Sequence, residues 1–316
     1  LALHHLIADW VSLRILVADL NALVRALADG KAAHTACPQP PHLLRVLAHT
    51  RAAEAASKLL SEPLSQYRQA AATMAALAFD CGMHSELQTL HLHLAPDALI
   101  LDLQNGVDNV PRICRQLPNA VVAAVVYVAC EMVGAGCVKH HGRGDLVIGA
   151  LDVRTGHVLP SGAQLDELAA LLARADIPTA ISDNIEGELW LKFLINCAYN
   201  AVSALGRSRY ARMTAMPESR AAMQDAVREV LAVARAGGVR LPEGDLVAQA
   251  IRLADTMPQQ LSSMAQDLAR GKRTEIDDLN GFVARRGAEL GVPTPVNATL
   301  HAMVKLLECG GPDTAG

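Results

Sequence analysis

The sequence predicts an α/β first half joined to an all-helical second half. In the first half, apolar runs at residues 98–103 and 121–128 have the length and β-branched content of buried strands. The earlier run leads directly into the turn residues Gln104-Asn105-Gly106. After about Gln164 the strand patterns end and only the helical periodicity remains. A chain of 316 residues is long enough for two domains.

Further elements follow from the same patterns. Residues 138–141 and 146–148, separated by Gly142-Arg-Gly144, indicate either a hairpin or two short strands. Near the start, residues 14–18 are typical of a strand, residues 21–28 of a helix, and the Ala-rich stretch 44–77 of a longer helix. The helices predicted in the second half are residues 165–173, 186–205, 218–236, 245–253, 259–268, 275–290 and 298–307.

Composition excludes several classes of protein. A net charge of −4 leaves no basic surface of the size that binding a nucleic acid requires. The seven cysteines are scattered and never form Cys-x-x-Cys, so we expect no disulfide framework, no metal site and a reducing cytoplasmic location. The most apolar run, residues 120–130, is far shorter than the roughly 20 residues that span a bilayer. Because the chain begins with Leu and shows no export signal, we expect a start that is not the native one.

A stripe of polar residues marks the helix predicted at residues 186–205. Lys192, Asn196, Asn200 and Ser203 follow one another at helical spacing and therefore share one face. Asn is a poor helix former, so its repeated use in such a stripe needs a reason. Residue type alone leaves two interpretations equally open, a functional site and a buried polar seam whose hydrogen bonds are satisfied.

A second polar cluster precedes the predicted helix 275–290. It contains Ser262 and Ser263, then Thr274, Glu275 and Asp277. Thr274 has the place of an N-cap and Asp277 the place of the acidic partner three residues later. The simpler interpretation of this cluster, and the one that residue type favours, is the start of a helix.

Four segments together resemble one family, and they occur in that family's order. They are Leu103-Gln-Asn-Gly-Val-Asp-Asn109, Cys137-Val-Lys-His-His-Gly-Arg-Gly144, Leu189-Trp-Leu-Lys-Phe-Leu-Ile-Asn-Cys-Ala-Tyr-Asn200 and Ser262-Ser-Met-Ala-Gln-Asp-Leu-Ala-Arg-Gly-Lys-Arg-Thr-Glu-Ile-Asp-Asp-Leu-Asn-Gly281. The chain from about residue 94 to 307 is similar to 2-dehydropantoate 2-reductase, also called ketopantoate reductase.

The resemblance implies a fold and an activity. It implies an NADP-binding Rossmann-like domain at residues 1–180, with residues 1–93 atypical, and a helical substrate-binding domain of the 6-phosphogluconate-dehydrogenase C-terminal type at residues 181–316. Family members use NADPH to reduce 2-dehydropantoate to pantoate in pantothenate and coenzyme A biosynthesis. The implied partners are a small 2-keto acid and, in some members, a second copy of the chain.

The resemblance also assigns roles by motif position. Lys192 matches the catalytic lysine that donates a proton to the substrate carbonyl oxygen, and Glu275 matches the acidic residue that orients substrate, lysine and cofactor. Asn196, Asn200 and Ser263 match substrate-contacting positions. Asn105 matches the asparagine at the nicotinamide end of the cofactor and the substrate.

The first part of the chain departs from the family pattern. No Gly-x-Gly-x-x-Gly occurs in residues 1–96, although such a loop lets backbone N–H groups approach the pyrophosphate. The lysine that the family places before the Gln-Asn-Gly turn is also missing, because no lysine lies between Lys58 and Lys139. Two alternatives to an active reductase follow. One is a reading-frame error that replaced the cofactor segment, and the other is a homologue that lost the cofactor and binds a ligand or partner without catalysis.

Overall fold

The computed structural model describes residues 74–77, 97–134, 137–153 and 156–309. The described chain divides into two compact units. The first contains the described residues up to Gln104 and from Ile113 to Ser182, and the second contains Asn105–Arg112 and the described residues from Asp183 onward. The short segment Asn105–Arg112 belongs to the second unit although the chain on either side of it belongs to the first. It contains Asn105, one of the predicted site residues.

A mixed sheet of five strands forms the described part of the first unit, in the order β1-β2-β3-β4-β5. Pairing is parallel between β1 and β2, β2 and β3, and β4 and β5, and antiparallel between β3 and β4. The strands are β1 Met74–Leu77, β2 Leu99–Asp102, β3 Val121–Gly134, β4 Cys137–Ala150 and β5 Thr179–Ile181.

One hydrophobic cluster of this unit lies between the sheet and a helix, α2 (Gly162–Arg174). Leu165, Leu168 and Leu172 are buried on a single face of α2, because their spacing of three and four residues is that of the helical turn. They belong to one cluster with β-sheet residues such as Val122 and Ile148, both fully buried. Ser161 begins the helix with a complete capping box formed with Gln164.

Three sequence predictions in the first unit are wrong in detail. Gly142 and Gly144 do not separate two strands: β4 runs through both, and it pairs with β3 from Gly134 and Cys137 onward. In the long β3–β4 pair, Gly142 pairs with Ala129 and Gly144 lies at a register shift, so the ladder continues through both. Strand β5 follows residue 164, where only helices were expected. The last four residues of the helix predicted at 44–77, Met74–Leu77, form a strand instead. The predictions for residues 14–28 and 44–73 lie outside the described residues.

The second unit is helical throughout its described length. The remaining helices, numbered in chain order, are α1 Asn109–Cys114, α3 Ile185–Gly206, α4 Tyr210–Ala215, α5 Pro217–Ala236, α6 Leu246–Thr256, α7 Ser263–Ala269, α8 Asn280–Leu290 and α9 Pro295–Cys309. Helix α1 begins in the second unit and ends in the first. This arrangement confirms the predicted fold class, an α/β part followed by an all-helical part.

Helix α3 is the central element of the second unit. The side chain of Asn184 accepts a hydrogen bond from the Gly187 N–H and caps the helix, and Glu186 and Glu188 complement the positive end of its dipole. A Cβ on Gly187 would lie 2.6 Å from the carbonyl oxygen of Arg240, so the close approach of this chain segment requires glycine. Residues on all sides of α3 are buried, which is the pattern of a core helix.

The helix limits differ most from prediction around residues 259–280. The helix expected at 259–268 begins at Ser263, and the helix expected from Glu275 begins at Asn280. Short helices α1 and α4 were not predicted, because six residues are too few to show helical periodicity. None of the described helices combines the length and apolarity that a membrane crossing requires.

Candidate active site

The polar stripe predicted on α3 is present but changes character along the helix. Lys192 and Asn196 are partly exposed, whereas Asn200 and Ser203 are buried. The hydroxyl of Ser203 donates to the carbonyl oxygen of Ser208 at 2.8 Å, just past the end of the helix. Ser203 therefore ties down the helix terminus, and the accessible part of the stripe is its first half.

Asn105 and Glu275 meet within the second unit. The Asn105 side-chain amide donates to both carboxylate oxygens of Glu275, at 3.0 and 3.3 Å. Asn109 in turn donates from its amide to the backbone oxygen of Asn105 at 2.8 Å. The amide of Asn105 is therefore held in one orientation, with its donor end directed at the carboxylate.

Burial and neighbouring charges set the ionisation of Glu275. Loss of solvent raises its pKa to about 7, which the hydrogen bond from Asn105 and the positive charge of Lys192 partly oppose. The carboxylates of Asp267 and Asp278 add to the increase. The pKa of Glu275 therefore lies close to neutral pH, and the charge of Lys192 favours the ionised carboxylate. A carboxyl group and an ammonium group coupled in this way are a combination typical of proton-transfer sites.

Ser262 and Ser263, at the start of α7, differ in their exposure to solvent. Ser262 is buried: its hydroxyl caps α7 by accepting from the Ala265 N–H at 3.1 Å and donates to the backbone oxygen of Asn200 at 3.3 Å. Ser263 is exposed at the first turn of α7. Ser262 thus fastens α7 to α3, which leaves the Ser263 side chain accessible next to that junction.

The sequence pattern predicted that Thr274 and Asp277 cap a helix. The structure shows that they do not. The Thr274 hydroxyl accepts from the Ile276 N–H at 3.2 Å and donates to Glu308 at 2.7 Å. The carboxylate of Asp277 contacts His301 and Lys305 of α9. Contacts with α9, far along the chain, thus replace local capping, and residues 275–279 form turns before α8 begins.

A further ion-pair cluster joins the Asn105 segment to the same turns. Arg112 contacts Asp108 at 2.6 Å and Asp278 at 2.8 Å. Sequence reasoning assigned no role to Arg112: the spacing of Asp108 and Arg112 indicates a pair on one helix turn, but the contact with Asp278, 166 positions away, leaves no local pattern. Together with Asn105 it fixes residues 105–112 against the Glu275 turn.

In the described part of the chain, no group of three His, Cys, Asp or Glu side chains is suited to holding a metal ion. Beside Glu275, Asp278 is paired with Arg112, and the Glu275 carboxylate accepts from the Asn105 amide. The arrangement is suited to binding a polar organic molecule and to moving a proton.

Comparison with known proteins decides the family. The family model described as "Ketopantoate reductase PanE/ApbA C terminal" matches residues 184–308, and that described as "Ketopantoate reductase PanE/ApbA" matches residues 82–153. A 2-dehydropantoate 2-reductase of Pyrobaculum aerophilum is 34% identical over 206 residues, which are 65% of this chain and 68% of the relative. The chain belongs to the ketopantoate reductase family. The match begins at residue 82, earlier than the motifs alone indicated.

Other relatives and solved structures agree with this assignment. A 2-dehydropantoate 2-reductase of Vibrio cholerae is 29% identical over 227 residues, covering 72% of this chain and 74% of the relative. The crystal structure of a ketopantoate reductase from Ralstonia eutropha shares 48% identity, with a TM-score of 0.65 over 75% of this chain and 74% of that one. A D-mandelate dehydrogenase at 23% identity shares the fold alone, with a TM-score of 0.66 over 75% and 76% of the two chains. The predicted Rossmann-like part followed by a helical C-terminal part is thereby confirmed.

Proposed function

We propose that this chain reduces 2-dehydropantoate to pantoate with NADPH as the reductant. The observation that carries the proposal is the grouping of Asn105, Glu275 and the charge of Lys192 within one unit. These residues come from three distant parts of the sequence and match the family's reactive positions one by one. Membership of the family supplies the reaction type, and the grouping supports its retention here.

Lys192 is the proposed general acid. Its ammonium group would donate a proton to the carbonyl oxygen of the 2-keto acid and stabilise negative charge on that oxygen as the carbonyl carbon is reduced. Glu275 would orient the ammonium group towards the substrate, since its carboxylate is coupled to Lys192 and fixed by Asn105. Asn196, Asn200 and Ser263 are the proposed substrate-binding residues, with the buried Asn200 deepest among them.

The described residues fit one end of the implied cofactor. Asn105 and Glu275 offer amide and carboxyl groups of the kind that bind a nicotinamide and its ribose, and Gly106 keeps the neighbouring backbone free of a side chain. A nicotinamide cofactor, when bound, supplies the hydride. For its phosphates, no Gly-x-Gly-x-x-Gly loop occurs in residues 1–96 of the sequence, so we name no residues for that end.

One alternative has a specific observation in its favour. Because the glycine-rich loop is absent from residues 1–96, the chain is also explained as a homologue, or the product of a shifted reading frame, that keeps the substrate residues without binding cofactor. Such a protein would bind a 2-keto acid or a partner and turn nothing over. The domain limits at residues 180 and 181, a homodimer and a cytoplasmic location stay predictions.

A fluorescence titration separates the two. NADPH is titrated into the purified chain, and 2-dehydropantoate is then added to the same sample. Saturable binding followed by loss of NADPH supports the reductase. If no binding occurs at millimolar NADPH while 2-dehydropantoate still binds in calorimetry, the cofactor-free alternative replaces it. NADH in a parallel titration measures the preference between the two cofactors.

A further inference from the structure

The last described helix, α9, has a row of polar residues that contacts the chain on both sides of Glu275. His301, Lys305 and Glu308 are spaced by four and three residues, so they lie on one face of the helix. Each of them contacts Thr274 or Asp277, the residues that flank Glu275 at one and two positions.

On the first side, Glu308 holds Thr274. One oxygen of the Glu308 carboxylate accepts hydrogen bonds from the Thr274 backbone N–H at 2.6 Å and from its hydroxyl at 2.7 Å. Thr274 is fully buried, so its N–H needs a protein partner, and Glu308 provides a charged one. These bonds lower the pKa of Glu308 despite its loss of solvent, which keeps the carboxylate ionised at neutral pH.

On the other side, three basic side chains contact the Asp277 carboxylate. His301 lies 2.7 Å and Lys305 2.9 Å from the Asp277 carboxylate, and Arg273 lies 3.2 Å away. Lys305 also contacts the second oxygen of Glu308 at 3.0 Å. The ammonium of Lys305 therefore connects the two carboxylates that border the Glu275 turn.

Each of these contacts would serve the fold even if Glu275 had no role. Their convergence is more informative, because residues 274–277 lie outside any helix. Their backbone makes turn hydrogen bonds, from the N–H groups of Asp278 and Leu279 to the Glu275 oxygen, in place of a regular ladder. A carboxylate on such a turn would ordinarily be mobile, yet Glu275 has to be held to be useful for catalysis. Asn105 fixes its carboxylate, and α9 fixes the backbone that carries it.

We propose that Glu308 and Lys305 of α9 are positioning residues for Glu275. The inference rests on the proposed function for its role in catalysis, but the positioning itself is measurable without turnover. Besides loss of solvent, the largest influences on the Glu275 carboxyl come from Asn105, Lys192, Asp267 and Asp278. Glu308 and Lys305 contact Thr274 and Asp277, so their proposed effect on Glu275 acts through the backbone of the turn.

The first test follows the Glu275 carboxyl directly. The ¹³C carboxyl resonance of Glu275 is identified by its absence from the spectrum of Glu275→Gln. It is then followed by NMR as a function of pH in the wild type, in Glu308→Ala and in Glu289→Ala. Glu289 is the matched control, because it also pairs with a cation three residues earlier on a helix, Arg286, but lies exposed on α8. We expect the pKa of Glu275 to fall by about one unit in Glu308→Ala, as water reaches the released turn, and to stay unchanged in Glu289→Ala.

Two further variants keep the test decisive. Glu308→Gln retains an oxygen that accepts from Thr274 and should restore most of the wild-type titration. Lys305→Met keeps the aliphatic stem, removes both ion pairs and serves if Glu308→Ala does not fold. An unchanged Glu275 titration in every folded variant would overturn the proposal, whether or not the chain reduces 2-dehydropantoate.

A kinetic arm separates positioning from simple loss of stability. With active enzyme, Glu308→Ala should lower kcat/KM roughly tenfold through misplacement of Glu275. In the Glu275→Gln background the same substitution should cause no further loss, because the group it positions is already absent. Equal losses in both backgrounds would show that Glu308 acts independently of Glu275. If the wild type has no activity, the proposed function fails, and the NMR titration alone decides the positioning.

Discussion

The amide of Asn105 donates to both carboxylate oxygens of Glu275, joining two residues that are 170 positions apart in the sequence. The bond stabilises the ionised form of a carboxyl group that burial drives towards its neutral form. The ionisation of Glu275 is therefore a balance between desolvation on one side and Asn105 and Lys192 on the other. Each partner can be removed separately, which makes the balance open to measurement.

Replacing Asn105 by Ala should raise the pKa of Glu275 above its value of about 7. The hydrogen bond from Asn105 favours the carboxylate, so its loss favours the protonated form. The ¹³C titration of Glu275 measures the change. Asn184→Ala is a suitable control, since Asn184 contacts Gly187 and Arg240 and not Glu275. A pKa that falls in Asn105→Ala would contradict this description of the site.

The pH dependence of turnover should contain the ionisation of Glu275. Below about pH 7 the protonated carboxyl no longer attracts the Lys192 ammonium, so kcat/KM should decrease as the pH falls through that value. Glu275→Gln should lower kcat/KM by about 10²-fold and remove this ionisation from the profile. If the pH profile of Glu275→Gln still contains the ionisation seen in the wild type, that ionisation belongs to another group.

Stability should depend on the same group with a definite sign. The folded pKa of Glu275 is raised from an ordinary 4.5 to about 7, so the unfolded chain releases the proton at lower pH than the folded chain does. The contribution of the neutral carboxyl is present below 4.5 and is lost as the pH rises towards 7. Urea unfolding of wild type and Glu275→Gln should therefore show the wild type losing stability relative to the variant across that interval. A constant difference would show that burial does not raise the pKa.

Substitutions at the neighbouring Ser262 and Ser263 should affect different properties, protein stability at Ser262 and substrate binding at Ser263. Ser262→Ala removes a buried cap and a bond to the Asn200 backbone, which should cost about 1–2 kcal/mol in the free energy of unfolding. Ser263→Ala changes an exposed side chain and should leave stability within about 0.5 kcal/mol while it raises KM for 2-dehydropantoate. Urea unfolding and steady-state kinetics on both variants measure the pair. The reverse pattern would place Ser262, not Ser263, at the substrate.

Sequence reasoning succeeded where a pattern is local and strong. Helix α3 was predicted at residues 186–205 and occupies Ile185–Gly206, because its periodicity and its Asn184 cap both lie within the segment itself. The strands at residues 98–103 and 121–128 were found for the same reason. Their apolar, β-branched runs match the buried pattern of β2 and the start of β3.

It failed where distant contacts override local preference. Thr274 has the local pattern of an N-cap, but Glu308, 34 positions later, binds both its N–H and its hydroxyl. Gly142 and Gly144 have the composition of a turn, yet pairing with β3 carries the strand through them. In the site, resemblance to a family and not residue spacing indicated that Asn105 and Glu275 belong together. The roles of Arg112, Lys305 and Glu308 were not predicted, because their contacts with Asp278, Asp277 and Thr274 join distant parts of the chain.

The central claim, that Lys192 serves as the proton donor in reduction of a 2-keto acid, is tested most directly by turnover of 2-dehydropantoate with NADPH in the wild type and in Lys192→Met. Methionine keeps the length of the side chain and removes the charge and the proton. We predict measurable pantoate formation by the wild type and a kcat lower by about 10³-fold in the variant, with its fold intact by circular dichroism. Equal rates in the two proteins, or no turnover by a wild type that binds NADPH, would contradict the claim.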